Sequence, residues 1–340
     1  MAFMQTTSKM EIEIMPALTA AEQTCVDSYF TQYEENAILH YLKTENNDKD
    51  EEIILKNIEY LIDKGSEINA KDSDGTTPLH WAADNRNSKL VQFLVSNGGD
   101  VNARSDGGYS PLHCVVASWV AVLPFGNTKE GEYESIRERT VESIKSLISK
   151  GANVNAKTDY NETPLMFAAE NFSLESSELF VSSGADVNAK DKTGKTALHY
   201  AVQSHNDPFT NDDIIKFLVS KGADVNAKCD DGTTPLLLAM SPYFPSVYKN
   251  SNIILLFLSK GANVNAQDSC GMSPLHCIAC WPSYCYSAPD YVKLVKILIS
   301  SGANVNAQDN SGKTPLDMAK ERENMLVVEY ISAHIYKNAK

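Results

Sequence analysis

Apolar residues in this chain follow one another at helical spacing in short segments, and polar turns separate these segments. The runs from Leu90 to Val95 and from Ile214 to Val219 place most of their apolar residues on one face, which predicts amphipathic helices. Before such a run stands a shorter apolar segment with small residues, as in Pro78 to Ala83. A short and a longer helix therefore alternate along the chain, and the pattern predicts an all-α fold.

Two motifs recur within this pattern. The first, Gly-x-x-Val-Asn-Ala with one Ile variant, begins at Gly65, Gly98, Gly151, Gly184, Gly222, Gly261 and Gly302. The second, in its fullest form Gly-x-Thr-Pro-Leu-His, ends at positions 80, 113, 166, 199, 237, 276 and 317. These ends are 33, 53, 33, 38, 39 and 41 residues apart, so the base period is 33 with 20, 5, 6 and 8 residues added in four intervals. Self-similarity of this kind is typical of a solenoid.

The motif residues have physical roles at helix ends. The Thr or Ser before Pro caps a helix, because its hydroxyl accepts a hydrogen bond from a backbone N–H that the helix leaves open. Pro suits the first helical position, where its missing N–H costs nothing. Gly at the start of the other motif ends the second helix, since it enters the left-handed backbone region at low cost.

Together the two motifs resemble the ankyrin repeat from about Gly65 to about Tyr336, in seven tandem copies. The resemblance implies stacked antiparallel helix pairs with a β-hairpin-like loop projecting at right angles from each pair. It also implies local hydrogen bonds that hold this loop to the helix, at Thr77/His80, Ser110/His113, Thr196/His199 and Ser273/His276. The match is weaker at Met166, Leu237 and Asp317, which replace the His, and at Ala197, which replaces the Pro.

The ends of the chain and four insertions depart from the repeat. Residues 1–17 are expected to form a mobile N-terminus, residues 18–70 a divergent helical cap, and residues 71–340 the ankyrin repeats. Insertions are expected near 119–132, 204–210, 241–252 and 280–290. Each falls between the first and second helix of a repeat, which is one edge of an ankyrin stack, away from the projecting loops.

Aromatic residues are concentrated in these insertions and form a first candidate partner-binding surface, the aromatic ridge. Its residues are Trp119, Phe125, Phe209, Tyr243, Phe244, Tyr248, Trp281, Tyr284 and Tyr286. The last three insertions lie in consecutive repeats, and adjacent helices pack about 8–10 Å apart, so they are predicted to line up. Aromatic residues are enriched at protein interfaces. The alternative is that these rings fold back and cover the ends of their own helices.

The loops between repeats are a second candidate surface. Family resemblance implies that loop tips and the faces of the first helices contact partners. Tyr109, Tyr160 and Lys195 occupy such loop positions in this chain. A mixture of charged and aromatic residues suits a groove for another protein or a peptide, although a solvated loop tip has the same composition.

Composition and charge argue against other partners. The net charge of −14 disfavours contact with phosphate backbones, and hence with nucleic acid. No stretch approaches the roughly 20 apolar residues that a membrane span needs, and the N-terminus lacks the layout of a secretory signal. Seven Cys without a disulfide spacing favour a reducing cytoplasm, of the producing cell or of a host. The chain is expected to be a monomer.

Catalytic residues, metal ligands and cofactors are not predicted. Cys277 and Cys280 have the spacing of a zinc-binding pair, with His276, Cys270 and Cys285 nearby. However, the pair begins a helix, and His276 belongs to the packing motif. No phosphate-binding loop or metalloprotease signature occurs. An enzyme or a zinc-binding protein with its site in the inserted loops is the open alternative.

The sequence therefore predicts a protein–protein interaction scaffold or adaptor that is not an enzyme. One version is an effector that an intracellular microbe delivers into a host cell, which the near-identical repeats and the frequent Asn, Lys, Ile and Tyr favour. A spacer with no tight partner is a further alternative. Asn102, with Leu94 eight residues before it, is also similar to the pattern that asparaginyl hydroxylase modifies in ankyrin proteins.

Overall fold

Stacked helices make up the fold of this chain. The computed structural model describes residue 27 and residues 37–45, 51–117, 132–171, 173–204, 212–241, 247–280 and 288–338, and within these ranges it contains sixteen α-helices and no β-strand. The helices form eight consecutive pairs: α1 Ala37–Glu45 with α2 Glu51–Asp63, α3 Pro78–Asp84 with α4 Ser88–Ser96, α5 Pro111–Ala117 with α6 Glu132–Ser149, α7 Pro164–Glu170 with α8 Leu174–Ser182, α9 Ala197–Ser204 with α10 Asp213–Ser220, α11 Pro235–Ala239 with α12 Val247–Ser259, α13 Pro274–Ala279 with α14 Ala288–Ser300, and α15 Pro315–Glu321 with α16 Met325–Asn338. The predicted all-α solenoid is confirmed.

The first helix of each of the seven repeats begins directly after the predicted Thr or Ser, and the predicted side-chain cap bond is present at Thr77, Thr234 and Thr314. Thr77 has an extended backbone, and its hydroxyl accepts a hydrogen bond from the backbone N–H of His80. Thr234 accepts the same bond from the N–H of Leu237. Because the cap satisfies an N–H that the helix leaves open, even the five-residue α11 begins at a defined residue.

The second helices share one buried position that runs through the whole stack. A Leu or Phe with no solvent exposure fills it in each of the first seven pairs: Leu61, Leu94, Leu147, Phe180, Leu218, Phe257 and Leu298. First helices pack against first helices of adjacent repeats, and most second helices against second helices, so the apolar residues join into one core. Burying each such side chain contributes roughly 1.5–3 kcal/mol. Adjacent repeats must supply that burial, since one helix pair cannot enclose its own apolar face.

The loops between repeats, which we call the fingers, are bonded to one another through their backbones. Within one finger, the Asp191 N–H donates to the Lys195 carbonyl at 2.9 Å. Between fingers, the Lys192 N–H donates to the Tyr160 carbonyl at 2.8 Å. Equivalent links join residues 74 and 106, 107 and 159, 193 and 230, 231 and 269, and 270 and 310. The fingers therefore form a continuous bonded row along the helices.

An asparagine ladder joins the repeats at the Val-Asn-Ala motif. The amide nitrogen of Asn155 donates to the Gly184 carbonyl at 3.0 Å, and its amide oxygen accepts from the Asp186 N–H at 2.8 Å. The same pair of bonds is formed by Asn69, Asn102, Asn188, Asn226 and Asn265. Asn306 holds the last equivalent position, and no further copy of the Gly-x-x-Val-Asn-Ala motif follows it to supply the partner groups of another rung. Each rung thus ties one repeat to the next.

Replacing Asn155 by Ala should lower the free energy of unfolding by about 1–3 kcal/mol, because two hydrogen bonds of about 0.5–1.5 kcal/mol each are lost. Asn306→Ala removes the same side chain beyond the last rung, and a surface change of that kind should stay within about 0.5 kcal/mol. Urea unfolding followed by far-UV circular dichroism measures both variants. Equal losses at the two positions would show that the ladder does not contribute to stability.

The predicted division of the chain stays a prediction, because much of it falls outside the described residues. Residues 1–26 lie outside, and the pair α1 and α2 occupies part of the predicted cap and packs on α3 and α4. Residues 118–131, 205–211, 242–246 and 281–287, which include much of the predicted insertions, also lie outside. No helix in the described ranges is long and apolar enough to cross a membrane.

Candidate functional site

Most of the predicted aromatic ridge lies outside the described part of the chain. This applies to Trp119, Phe125, Phe209, Tyr243, Phe244, Trp281, Tyr284 and Tyr286. The backbone of Tyr248 belongs to α12, but its side chain is outside the described set. The ridge therefore stays a prediction, both as a binding surface and as a cover for helix ends.

The three predicted loop residues lie on the fingers. Tyr160 is at a finger tip, where it is 64% exposed and the Lys192 ammonium lies 6.0 Å from the centre of its ring. Tyr109 and Lys195 are half-buried, and each directly precedes the Ser or Thr that begins the next first helix. Tyr160 therefore points away from the helices, whereas Tyr109 and Lys195 contact them.

The fingers and the first helices line one side of the solenoid, which we call the groove face. Toward the C-terminal end it forms a groove of about 560 Å³. Its lining includes Thr233, Leu238, Ser241, Met272, Cys277, Cys280 and Arg322. The repeat register places Phe167 and Glu170 of α7 at the positions that Leu238 and Ser241 occupy there. The groove face therefore continues across α7 and its neighbours.

Three rings from two adjacent repeats meet on the groove face. The ring centre of Phe167 lies 5.9 Å from that of Tyr109 and 5.7 Å from that of His113. Tyr109 and His113 meet edge to face at 6.1 Å. His113 is buried, whereas Phe167 and Tyr109 are only half-buried, so both present ring surface to the outside. Aromatic contacts at such distances contribute about 0.5–1.5 kcal/mol beyond their buried area, which fixes the orientation of the rings.

A polar network borders these rings on the side of the following repeat. The Tyr200 hydroxyl donates to the Asp191 carboxylate at 2.9 Å, and a carboxylate oxygen of Glu162 lies 3.3 Å from the same hydroxyl. The Lys195 ammonium donates to the side-chain oxygen of Gln203 at 2.8 Å and lies 5.8 Å from the centre of the Tyr200 ring. These bonds join two fingers to α9 and hold Tyr200 and Lys195 in place.

Carboxylates act on the tyrosine hydroxyl groups of these rings. Burial raises the pKa of the Tyr109 hydroxyl, and the charges of Glu162 and Glu170 raise it further. Burial also raises the pKa of Tyr200, assisted by its bond to Asp191. The pKa of Glu170 is raised by burial and by the charge of Glu162. We call the set Tyr109, Phe167, Tyr200, Glu162 and Glu170 the aromatic–acidic cluster.

The four His of the repeat motif link each first helix to the next finger. The Ser110 N–H donates to Nδ1 of His113 at 3.1 Å, and Nε2 of His113 donates to the Glu162 carbonyl at 3.1 Å, a tautomer assigned from these bonds. His80, His199 and His276 make the equivalent bonds to the next finger. Burial lowers the pKa of all four, for His113 and His199 to about 4. Both ring nitrogens of each His are therefore used within the fold.

Sulfur groups line the other end of the groove face. Cys277 is buried, and burial raises the pKa of its thiol to about 12. The sulfur of Cys280 lies 3.5 Å from that of Met318. Neutral thiols are weak nucleophiles and weak metal ligands. In the described ranges no three His, Cys, Asp or Glu side chains are placed to hold a metal ion, and Cys285 lies outside these ranges.

Phe167, Tyr200 and Glu170 are not among the residues predicted from the sequence. A signal for the two rings was available in the position that directly follows the second motif. Its occupants are Trp81, Cys114, Phe167, Tyr200, Leu238, Cys277 and Met318. Most of these residues are partly exposed, unlike the buried Ala pair that follows in two repeats, Ala82-Ala83 and Ala168-Ala169. A large apolar residue recurring there indicates surface on the groove face rather than core.

Stacked helix pairs, linked fingers and a partly exposed groove face define an α-helical repeat protein. The family description "Ankyrin repeats (3 copies)" matches residues 52–119, 134–229 and 246–340. The chain belongs to the ankyrin-repeat family, whose repeats are protein–protein interaction modules. The resemblance seen in its motifs is thereby confirmed.

Two similar proteins illustrate the family. Ankyrin repeat protein OPG189 of Variola virus is 29% identical over 141 residues, which cover 41% of this chain and 21% of the viral protein. The match thus spans about a fifth of that relative's length. The crystal structure of the ankyrin repeat domain of Bcl-3, a unique member of the IkappaB protein family, has a TM-score of 0.53 and 27% sequence identity to this chain. It covers 76% of this chain and 100% of that domain.

Proposed function

We propose that this chain recognises another protein by binding an extended segment of it on the groove face, centred on the aromatic–acidic cluster. The observation that carries the proposal is the half-buried ring pair of Phe167 and Tyr109, held in fixed orientation between a finger and a first helix. Such rings bury a large area on binding and have few rotatable bonds to immobilise, which is why aromatic residues dominate interface energetics.

The biological setting that we propose is a monomeric scaffold or adaptor in the cytoplasm, of the producing cell or of a host. Similarity to an ankyrin repeat protein of Variola virus supports an effector that acts on host proteins. The net charge of −14 supports a protein partner over nucleic acid. The aromatic ridge is proposed as a second contact surface beside the groove face.

Phe167→Ser should weaken binding of the principal partner by about tenfold or more, because truncating a central interface ring costs on the order of 2 kcal/mol. Affinity capture from cell lysate with mass spectrometry identifies partners of the wild type. Isothermal titration calorimetry with the purified partner then gives Kd for each variant. Circular dichroism beforehand establishes that the variants are folded.

Phe217→Ser is the matched control, since Phe217 is a half-buried Phe on the second helix α10, with the Lys221 ammonium 5.6 Å from its ring centre. It should leave Kd unchanged. A combined Tyr243→Ser, Phe244→Ser and Trp281→Ser variant tests the ridge. A partner lost only with the ridge variant would move the site there, and a partner held by every variant would overturn the groove-face proposal.

A further inference from the structure

Among the described residues, three carboxylates lie around the rings of the aromatic–acidic cluster, those of Glu162, Glu170 and Asp191. Glu162 and Glu170 both act on the Tyr109 hydroxyl, and Asp191 is bonded to Tyr200. In the described ranges, Lys195 is the cation whose charge acts on Glu170, and its ammonium already donates to the side chain of Gln203. This surface therefore favours a positively charged group from a partner.

Glu170 differs from the other carboxylates of the set. Glu162 accepts a hydrogen bond from the Thr158 hydroxyl at 3.0 Å, and Asp191 accepts one from Tyr200 at 2.9 Å. Within the described part of the chain, the Glu170 carboxylate accepts no hydrogen bond and forms no ion pair, although the residue is half-buried. A partly dehydrated carboxylate without a donor is unfavourable, so a donor that arrives with a partner gains free energy there.

Phe167, which lies beside Glu170 on α7, limits which kind of partner group can donate to this carboxylate. Phe167 and Glu170 are three residues apart on α7, so their side chains share one helix face. A guanidinium can stack flat on an aromatic ring and donate two parallel N–H bonds to a carboxylate. An ammonium satisfies the carboxylate as a point charge but does not stack, and a neutral amide lacks the charge.

We propose that the groove face takes an arginine side chain of the partner segment, stacked on Phe167 and Tyr109 and paired with Glu170. The inference rests on the proposed function and adds the chemistry of the group that is bound. A partner segment with Asp or Glu at this place would be disfavoured, since its negative charge would face the carboxylates of Glu162 and Glu170.

A phage-displayed library of random peptides, selected on the full chain, supplies the probe. Each selected peptide is synthesised with its Arg residues replaced in turn by citrulline, which keeps the shape and removes the charge, or by Lys. Fluorescence polarisation then gives Kd for the wild type, Glu170→Gln and Phe167→Ser. The matched controls are Glu329→Gln, an exposed carboxylate on α16, and Phe217→Ser.

We expect the selected peptides to have an Arg in common. Citrulline at that Arg, or Glu170→Gln, should each weaken binding by about tenfold or more, and the two changes together should cost no more than either alone. Lys should lose less than citrulline, and the controls should bind like the wild type. Peptides that need Phe167 but tolerate citrulline or Glu170→Gln overturn the arginine inference and leave the proposed function standing. Peptides indifferent to Phe167→Ser overturn both.

Discussion

Acidification from pH 6.5 to pH 4.5 is expected to remove several kcal/mol of stability from this chain. His113 and His199 have no solvent exposure, and burial lowers their pKa from the ordinary 6.5 to about 4. Since one pKa unit corresponds to about 1.4 kcal/mol, each of these His lowers the free energy of unfolding by on the order of 3 kcal/mol between pH 6.5 and pH 4. Burial shifts the pKa of His80 and His276 in the same direction.

The sign of this pH dependence follows from whether the folded or the unfolded chain binds more protons. Well above pH 6.5 these His are neutral in the folded and the unfolded chain, so they do not reduce the free energy of unfolding there. As the pH falls below 6.5, the unfolded chain binds protons that the folded chain cannot bind until about pH 4, so the equilibrium moves toward unfolding. Asp72, Glu175 and Asp317 have lowered pKa values and act in the same direction only near and below their ordinary 3.8 to 4.5.

Urea unfolding at stepped pH values measures this loss. The control is His113→Met combined with His199→Met, because Met166 naturally holds the equivalent position in another repeat. The Met166 sulfur accepts a hydrogen bond from the Thr163 backbone N–H at 3.3 Å, so a Met in place of His can keep this part of the local hydrogen bonding. The variant should be less stable at neutral pH and should depend less on pH. An unchanged pH dependence would show that these His do not cause it.

Gly271→Ala is expected to lower the free energy of unfolding by about 2–5 kcal/mol, the sum of about 1–2 for a left-handed backbone and about 1–3 for overpacking. The φ of Gly271 is +78°, and an added Cβ would lie 2.8 Å from the backbone nitrogen of Asn310 and 2.9 Å from Cα of Asp309. Both atoms belong to the backbone of the next finger. The new methyl group must therefore push apart the link from the Asn310 N–H to the Cys270 carbonyl.

The variant Gly312→Ala separates the contribution of the left-handed backbone from the contribution of overpacking. The φ of Gly312 is +77°, nearly that of Gly271, but a Cβ there meets nothing within 4 Å. Gly312→Ala should cost only the about 1–2 kcal/mol of the left-handed backbone. Thermal and urea unfolding of both variants give the difference. If both cost the same, close contact between fingers does not restrain the residue at this position.

The repetition in the sequence was enough to predict the fold. A Thr-Pro cap and a Gly stop act within one helix, and their geometry is local, so Thr77 and Thr234 cap helices as predicted. What the pattern could not specify is how much of each inserted segment is regular. The 18-residue α6 is twice as long as the second helix α8 of the following repeat, although both end at the same motif.

The candidate site was predictable only in part. Tyr109 and Lys195 belong to finger positions that vary between repeats, and both border the groove face. The bond between Tyr200 and Glu162 joins residues 38 apart in different repeats, and no local rule links them. Glu170 stands at a place that the other repeats fill with Asp84, Ala117, Gln203, Ser241, Cys280 or Glu321, so the repeat pattern does not distinguish it from a solvent-exposed acidic residue. Only the stacking of α7 beside α9 brings these groups together.

The asparagine ladder has a consequence for what the chain can carry. Asn102 and Gly151 are 49 residues apart, Asn155 and Gly184 only 29, yet the joining bond is 3.0 Å long in both cases. The 20 added residues fall between the two helices of that repeat, and the joint has the same length with them as without them. The connection between the two helices of a repeat is therefore a suitable insertion site. An epitope or a small folded domain can be inserted there while the repeats keep their register. Because each joint involves only adjacent repeats, recombination can also lengthen the chain by whole repeats.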